Sequence, residues 1–265
     1  MSSLIVSDTQ TFEEQATTSE PIETVRLENV GVCYRVSSER ISTFKEYMIR
    51  YVQGKVRYKD FWALRGVNLS LRQGETLGLI GHNGAGKSTM LKLIARLLKP
   101  TEGRVVVRGQ IATLLEYGAG FHADLSGREN IFLNGAILGF TRQEMEEKFN
   151  RIVDFAELWD FIDVPMRNYS SGMWARLGFS VATDVRPDVL IIDEVLAVGD
   201  EPFQRKSAGR MQEFRDNGAT ILYVSHTMAS IEMMCQRVVW IDHGRLRADG
   251  DVREVIDAYR ESQGD

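Results

Sequence analysis

The chain has 265 residues, a formal net charge of −5, and a composition 43% hydrophobic and 26% charged. That balance is ordinary for a globular protein and argues against a predominantly nucleic-acid-binding surface, which reads basic. No apolar run approaches the roughly 18 residues of a membrane-spanning helix, and Cys33 and Cys235, the two cysteines, lack metal-ligand spacing and suit a reducing compartment as small buried hydrophobes.

Residues 1–24 are rich in Ser, Thr and Glu, with no basic region leading into an apolar core, so they are expected to form a loosely ordered tail and not a signal peptide. "VRLENVGVCYRV" (25–36) has strand character. An insertion over 35–60 follows, in which Phe44, Tyr47, Met48, Tyr51 and Val52 recur at helical spacing and form one aromatic face. Lys45, Arg50, Lys55, Arg57 and Lys59 surround that face. It reads either as a cover on the protein's own core or as a contact for a membrane partner and anionic lipid phosphates. Residues 61–81 predict two strands joined by the turn Arg72-Gln73-Gly74. A glycine-rich loop and a helical run, "KSTMLKLIARLL", come next, and "GRVVVRGQIATLL" returns to strand.

Residues 127–183 have helical patterning and are expected to form a helical subdomain. "DVLIIDEV" (188–195) and "ATILYVSH" (219–226) are continuous apolar runs with polar ends, as in buried parallel strands that carry functional groups at their carboxyl ends. "VVWIDHGRLRADG" predicts a hairpin turning at His243-Gly244, "DVREVIDAYRE" a last short helix, and 256–265 a C-terminal tail. The expected fold class is α/β, with one domain over 25–255.

The chemistry is concentrated in three motifs. "GHNGAGKST", which comprises Gly81, His82, Asn83, Gly84, Ala85, Gly86, Lys87, Ser88 and Thr89, matches G-x-x-x-x-G-K-[ST] between a predicted strand and a predicted helix. Its glycines let successive N–H groups turn toward phosphate oxygens, and the helix N-terminus adds partial positive charge. Lys87 would reach the terminal phosphates and Ser88 would offer a hydroxyl to Mg²⁺; His82 and Asn83 fill variable positions. "VLIIDEV" then places Asp193 for the Mg²⁺ shell and Glu194 to accept a proton from, or orient, the attacking water. His226 ends the following apolar run, where it is expected to sense the γ-phosphate or position water.

With a helical segment between the loop and the Asp-Glu strand, and "YSSGM" just before that strand, the arrangement resembles the ATP-binding-cassette (ABC) ATPase family. The resemblance covers residues 25 to about 255. It implies a P-loop NTPase domain with a RecA-like core, an antiparallel β subdomain and a helical subdomain. The family signature is L-S-G-G-Q; here Tyr169, Ser171 and Met173 replace Leu, the first Gly and Gln, while Ser170 and Gly172 match. By resemblance, Ser170, Ser171 and Gly172 would contact ATP bound to the opposite subunit of a homodimer. "AVGD" implies that Asp200 lies at that interface. The position of the family's Q-loop, within 114–130, holds no Gln; Glu116 is the nearest substitute, with Tyr117 close behind. Tyr34 is the first choice for stacking on adenine and Tyr58 the alternative.

The longer stretches "GHNGAGKSTMLKLIA", "LLEYGAGFHADLSGRENI" and "DEVLAVGD" look like the ATPases of bacterial O-antigen, capsule and teichoic-acid exporters. The resemblance implies ATP and Mg²⁺ as cofactors and a separate integral-membrane permease as partner. It also implies a lipid-linked glycan as transported substrate and a place on the cytoplasmic face of the bacterial inner membrane. Some such ATPases carry a C-terminal sugar-binding β-sandwich, which a chain complete at Asp265 would lack. A soluble ABC ATPase acting on nucleic acid or ribosomes is disfavoured by the acidic charge and by the lack of a long coiled coil. A GTPase-like switch is disfavoured by the absence of Asn-Lys-x-Asp.

Overall fold

A computed structural model of the protein describes residues 23–37, 58–114, 118, 120–193, 199–225 and 227–264. Strands β1 (Glu23–Ser37) and β2 (Tyr58–Arg72) pair antiparallel from Glu23–Arg72 to Ser37–Tyr58. Strand β4 (Glu102–Val107) lines the other edge of β1, giving a three-stranded sheet in the order β2-β1-β4. On β1, Val25 and Leu27 face the core and then Val30 and Val32, which breaks the period of two. The register slips between Leu27 and Val30, and Asn29 adopts a left-handed φ of 47°, so one extra residue is absorbed as a bulge and the apolar face resumes. Past Gly31, β4 no longer pairs with β1, and Tyr34, Val36 and Phe61 are exposed on a two-stranded ribbon.

The second sheet has six strands. Its order is β5 (Ile111–Leu114), β6 (Val189–Asp193), β7 (Thr220–Val224), β3 (Thr76–Ile80), β8 (Arg237–Asp242) and β9 (Arg245–Gly250). All neighbours are parallel except β8 and β9, which form the expected hairpin. β3 and β7 are buried at every position, which is why they read as unbroken apolar runs. The stretch "GRVVVRGQIATLL" does not form one strand. It splits at Arg108-Gly109-Gln110 into β4 and β5, which belong to different sheets. The Asp188 carboxylate accepts from the Gln110 N–H at 2.7 Å and holds the chain at the crossing.

Helix α1 (Lys87–Ile94) buries Met90, Leu91, Leu93 and Ile94 in the core between the sheets. The helical subdomain contains α2 (Gly127–Ile137), α3 (Arg142–Ala156) and α4 (Ser171–Thr183). Capping boxes start the first two: Ser126 with Glu129, and Thr141 with Glu144. α4 bridges two cores, with Leu177 and Val181 in the helical cluster and Phe179 in the cluster against the large sheet. α5 (Glu201–Asp216) and α6 (Met228–Met234) follow β6 and β7 in the chain. α7 (Val252–Gln263) runs unbroken through position 255, and its Ile256 is fully buried against the large sheet. The aromatic face at 44–52 and most of the insertion lie outside the described residues.

Candidate active site

The sheet order reverses around β3, and the loop that leaves its carboxyl end is the glycine-rich segment 81–86. Gly81 adopts φ 149°, and a Cβ there would lie 2.2 Å from the Ile241 carbonyl oxygen. Gly86, at φ 115°, would place a Cβ 2.7 Å from the Ala63 carbonyl. The loop is therefore pressed onto β2 and the β8–β9 hairpin, and no side chain fits between. Ala85 N–H donates to His82 O at 3.1 Å, and the Ala85 carbonyl accepts from Gly244 N–H at 2.8 Å.

Gly86 is the N-cap of α1 and supplies no side-chain cap, so the first backbone N–H groups of the helix remain donors for an anion. Lys87 is buried; its Nζ donates to the carbonyls of Gly81 at 2.5 Å and His82 at 3.1 Å. The ammonium is thus folded over the same loop. Ser88 is exposed, Thr89 and His82 half-buried, and Asn83 and Gly84 exposed. Asp193 closes β6 beside Val224 of β7, and it shares with Ser88 a groove of about 1150 Å³. The far wall of that groove is built by Asn134, Ile137 and Leu138; Ile137 and Leu138 are exposed, as is Leu97 on the near side.

Glu194, His226, Glu116 and Tyr117 lie outside the described residues. Their neighbours are placed: β6 ends one residue before Glu194, and Ser225 Oγ accepts from Thr227 N–H at 3.0 Å around position 226. Tyr34 stands opposite Phe61 on the exposed ribbon. For Tyr58 the described feature is its backbone, at the start of β2.

The signature segment stands on the helical subdomain, outside the groove that joins Ser88 and Asp193. Ser170 is the N-cap of α4; its Oγ accepts from Met173 N–H at 3.2 Å. Ser170 and Ser171 are exposed and Gly172 is half-buried, so the N-terminal end of α4 faces outward. Tyr169, in the place of the family's Leu, donates its hydroxyl to Phe161 O at 2.8 Å, and burial pushes its pKa up to about 12. Asp200 caps α5 through Phe203 N–H and accepts from Arg176 Nη2 at 2.5 Å. The Arg176 guanidinium holds the Asp200 carboxyl below the ordinary carboxylate range. Lys206, followed by Arg176, does the same to Glu157.

Three structural residues escaped the motif reading. Asn130 is fully buried in α2: its Nδ2 donates to the carbonyls of His122, Leu125 and Ser126, and its Oδ1 accepts from His122 N–H at 2.6 Å. It organises the loop that follows the Q-loop position, and its only signal is an amide inside an apolar helix face. Trp174 meets Phe121 edge-on at 5.8 Å, which connects that same loop to the signature helix. Arg176 joins α4 to Asp200 and gives no local signal at all.

The ABC transporter family profile matches residues 64–197, half of the chain. Over 248 residues the chain is 47% identical to the O-antigen export system ATP-binding protein RfbB of Myxococcus xanthus, covering 92% of this chain and 57% of that one. It is 50% identical over 204 residues to the RfbB protein of Klebsiella pneumoniae, covering 77% and 83%. It is 48% identical over 201 residues to the teichoic acids export ATP-binding protein TagH of Lactococcus lactis, covering 76% and 43%. Among solved structures, a dimeric ATP-binding cassette in a post-hydrolysis state with ADP and Pi aligns with a TM-score of 0.66. That alignment has 22% identity and covers 86% of this chain and 99% of the other. The antiparallel sheet, the mostly parallel sheet and the helical subdomain agree with these likenesses, and the chain belongs to the ABC transporter ATP-binding family.

Proposed function

We propose that this chain hydrolyses ATP to drive export of a lipid-linked polysaccharide through a separate membrane-spanning permease. The observation that carries the reading is the groove that runs from Ser88 and Asp193 to the exposed Ile137 and Leu138. One end is nucleotide chemistry and the other is an apolar surface suited to a partner, so movement at one end is available to the other. The glycan class rests on the O-antigen and teichoic-acid names of the relatives.

The residues suit the roles proposed for them. Gly81 and Gly86 leave no room for a Cβ, and the first N–H groups of α1 turn toward the site. Lys87 would exchange its carbonyl contacts for terminal phosphate oxygens. A hydroxyl and a carboxylate, from Ser88 and Asp193, are hard oxygen donors that suit Mg²⁺. When bound, that ion neutralises charge on the phosphates. Glu194 would accept a proton from the attacking water and His226 would hold that water in line. Tyr34 would stack on adenine and Glu116 would take the Q-loop position. In a homodimer, Ser170, Ser171 and Gly172 would complete the opposite subunit's site, with Asp200 beside them.

The experiment is deletion of the chain in its own cell with the permease intact. Lipid-linked glycan should accumulate on the cytoplasmic side, and restoring the wild-type chain, but not Glu194→Gln, should return it to the surface. Unchanged surface glycan in the deletion overturns the reading.

A further inference from the structure

The β8–β9 hairpin turns at His243 and Gly244, both with positive φ, 45° and 74°. Two consecutive left-handed residues fit a type I′ turn, in which Asn-Gly is the favoured pair. Histidine, like Asn and Asp, is enriched among non-glycine residues in that region, so the turn accepts it and leaves its side chain exposed beside the P-loop. The turn is fixed onto both the P-loop and β2: Gly244 N–H donates to Ala85 O at 2.8 Å, and Gly244 O accepts from the Arg65 N–H of β2 at 2.8 Å.

Asp242 Oδ1 lies 3.2 Å from His82 Nε2 and 3.7 Å from His243 Nε2. The three ligand atoms all stand within 4.8 Å of one another, and this trio is the one such group among the described residues. The other carboxylate oxygen, Oδ2, accepts from Arg247 Nε at 3.2 Å, which keeps Oδ1 turned toward the two rings. His82 Nδ1 is 2.7 Å from the Asn83 carbonyl, which can only accept, so Nδ1 carries the hydrogen. In the neutral ring Nε2 then turns a lone pair toward a carboxylate. Nε2 is buried and makes no hydrogen bond among the described residues. A divalent ion shared by Nε2 and Oδ1 would also engage the second ring, that of His243.

We propose that His82, Asp242 and His243 form a binding site for a borderline divalent transition ion such as Zn²⁺, clamping the P-loop to the β8–β9 turn. Ligand atoms at about 2.0–2.2 Å from a tetrahedral ion stand about 3.4 Å apart, close to the separations from Asp242 Oδ1. The His243 side chain is 83% exposed and closes the remaining gap by rotation. Two imidazoles and one carboxylate select Zn²⁺, Co²⁺ or Ni²⁺ over Mg²⁺, whose proposed oxygen donors are Ser88 and Asp193. The fourth position is left to water.

The test titrates the full chain with Zn²⁺ by calorimetry in excess Mg²⁺, with Co²⁺ absorption as a second readout. One ion should bind per chain, with the intense visible bands of tetrahedral Co²⁺. His243→Asn suits the turn better than histidine does, so the variant folds; it should weaken binding by roughly 100-fold or more, beyond what loss of an outer partner causes. Asp242→Asn should do the same, while His122→Ala should bind as the wild type does. Failure of the wild type to bind, or undiminished affinity in His243→Asn, overturns the proposal.

Discussion

Arg176 and Asp200 are joined by a 2.5 Å hydrogen bond, so the helix capped by Ser170 and the helix capped by Asp200 are tied together close to their N-terminal ends. The same guanidinium reaches Glu157 at 3.3 Å and lies over the Phe203 ring at 5.1 Å. The two segments proposed to face a second subunit are therefore linked through one guanidinium. Arg176→Ala should leave the chain folded but reduce ATP-driven dimerisation, read by light scattering. It should also change the acid limb of stability. A carboxylate with a depressed native pKa contributes stability that is present above its unfolded value, near 4, and lost as pH falls through the native value. Asp200 and Glu157 are both depressed in part by Arg176. Urea midpoints followed downward from about pH 6 should fall less steeply in the variant than in the wild type.

Ser170 allows its two roles to be separated. Asp caps helices as well as Ser does, whereas Ala loses the cap at a cost of about 1 kcal/mol. Ser170→Asp should therefore keep the melting temperature while placing a negative charge where a phosphate is proposed to sit. ATP-driven dimers should be lost in Ser170→Asp with little change in unfolding; retention of those dimers would leave Ser170 as a helix cap and nothing more.

Gly81→Ala should be among the most damaging small changes. Its Cβ would collide with the Ile241 carbonyl at 2.2 Å in a strained backbone region. A cost of at least about 2 kcal/mol follows, or roughly 4 to 8 °C in melting temperature for a chain of this size. At Gly84 nothing lies within 4 Å of the same atom, so Gly84→Ala should carry the φ strain alone, about 1 kcal/mol. Differential scanning calorimetry of the pair gives the comparison.

Lys87→Ala removes charge-assisted contacts worth about 1.5 to 3 kcal/mol, which is about 10- to 100-fold in nucleotide affinity. Fluorescence titration with a labelled ATP checks it, and an unchanged Kd would remove Lys87 from the phosphate site.

Glu194→Gln should bind ATP normally and slow its hydrolysis by roughly 10²- to 10⁴-fold, the usual contribution of a general base. An ATP-bound dimer should then persist on size exclusion. Near-normal turnover would give the proton-accepting role to another group.

The sequence was most legible where one local pattern has one physical meaning. The P-loop combines glycines, a lysine and a following helix within nine positions, and β6 and β7 announce their burial on both faces by unbroken apolar runs. Legibility failed where partners are distant in the chain. The split of "GRVVVRGQIATLL" depends on Asp188, 78 positions from Gln110. Arg176 acquires its meaning from Asp200, 24 positions on, and Asn130 from the carbonyls of a loop that has no regular period. His243 was legible as a turn residue, but its relation to His82 depends on two loops packed together by the fold.

In the role proposed for Lys87, its carbonyl contacts would turn nucleotide capture into a competition. Gly81 and His82 already engage its ammonium, so a phosphate oxygen gains the difference between an anionic and a neutral acceptor, not the whole bond. Because the lysine and the backbone donors occupy one short loop, product departure returns the charge to acceptors only a few bonds away. The loop can then keep its shape from one turnover to the next, and the fold need not hold an uncompensated buried cation while it waits for the next nucleotide.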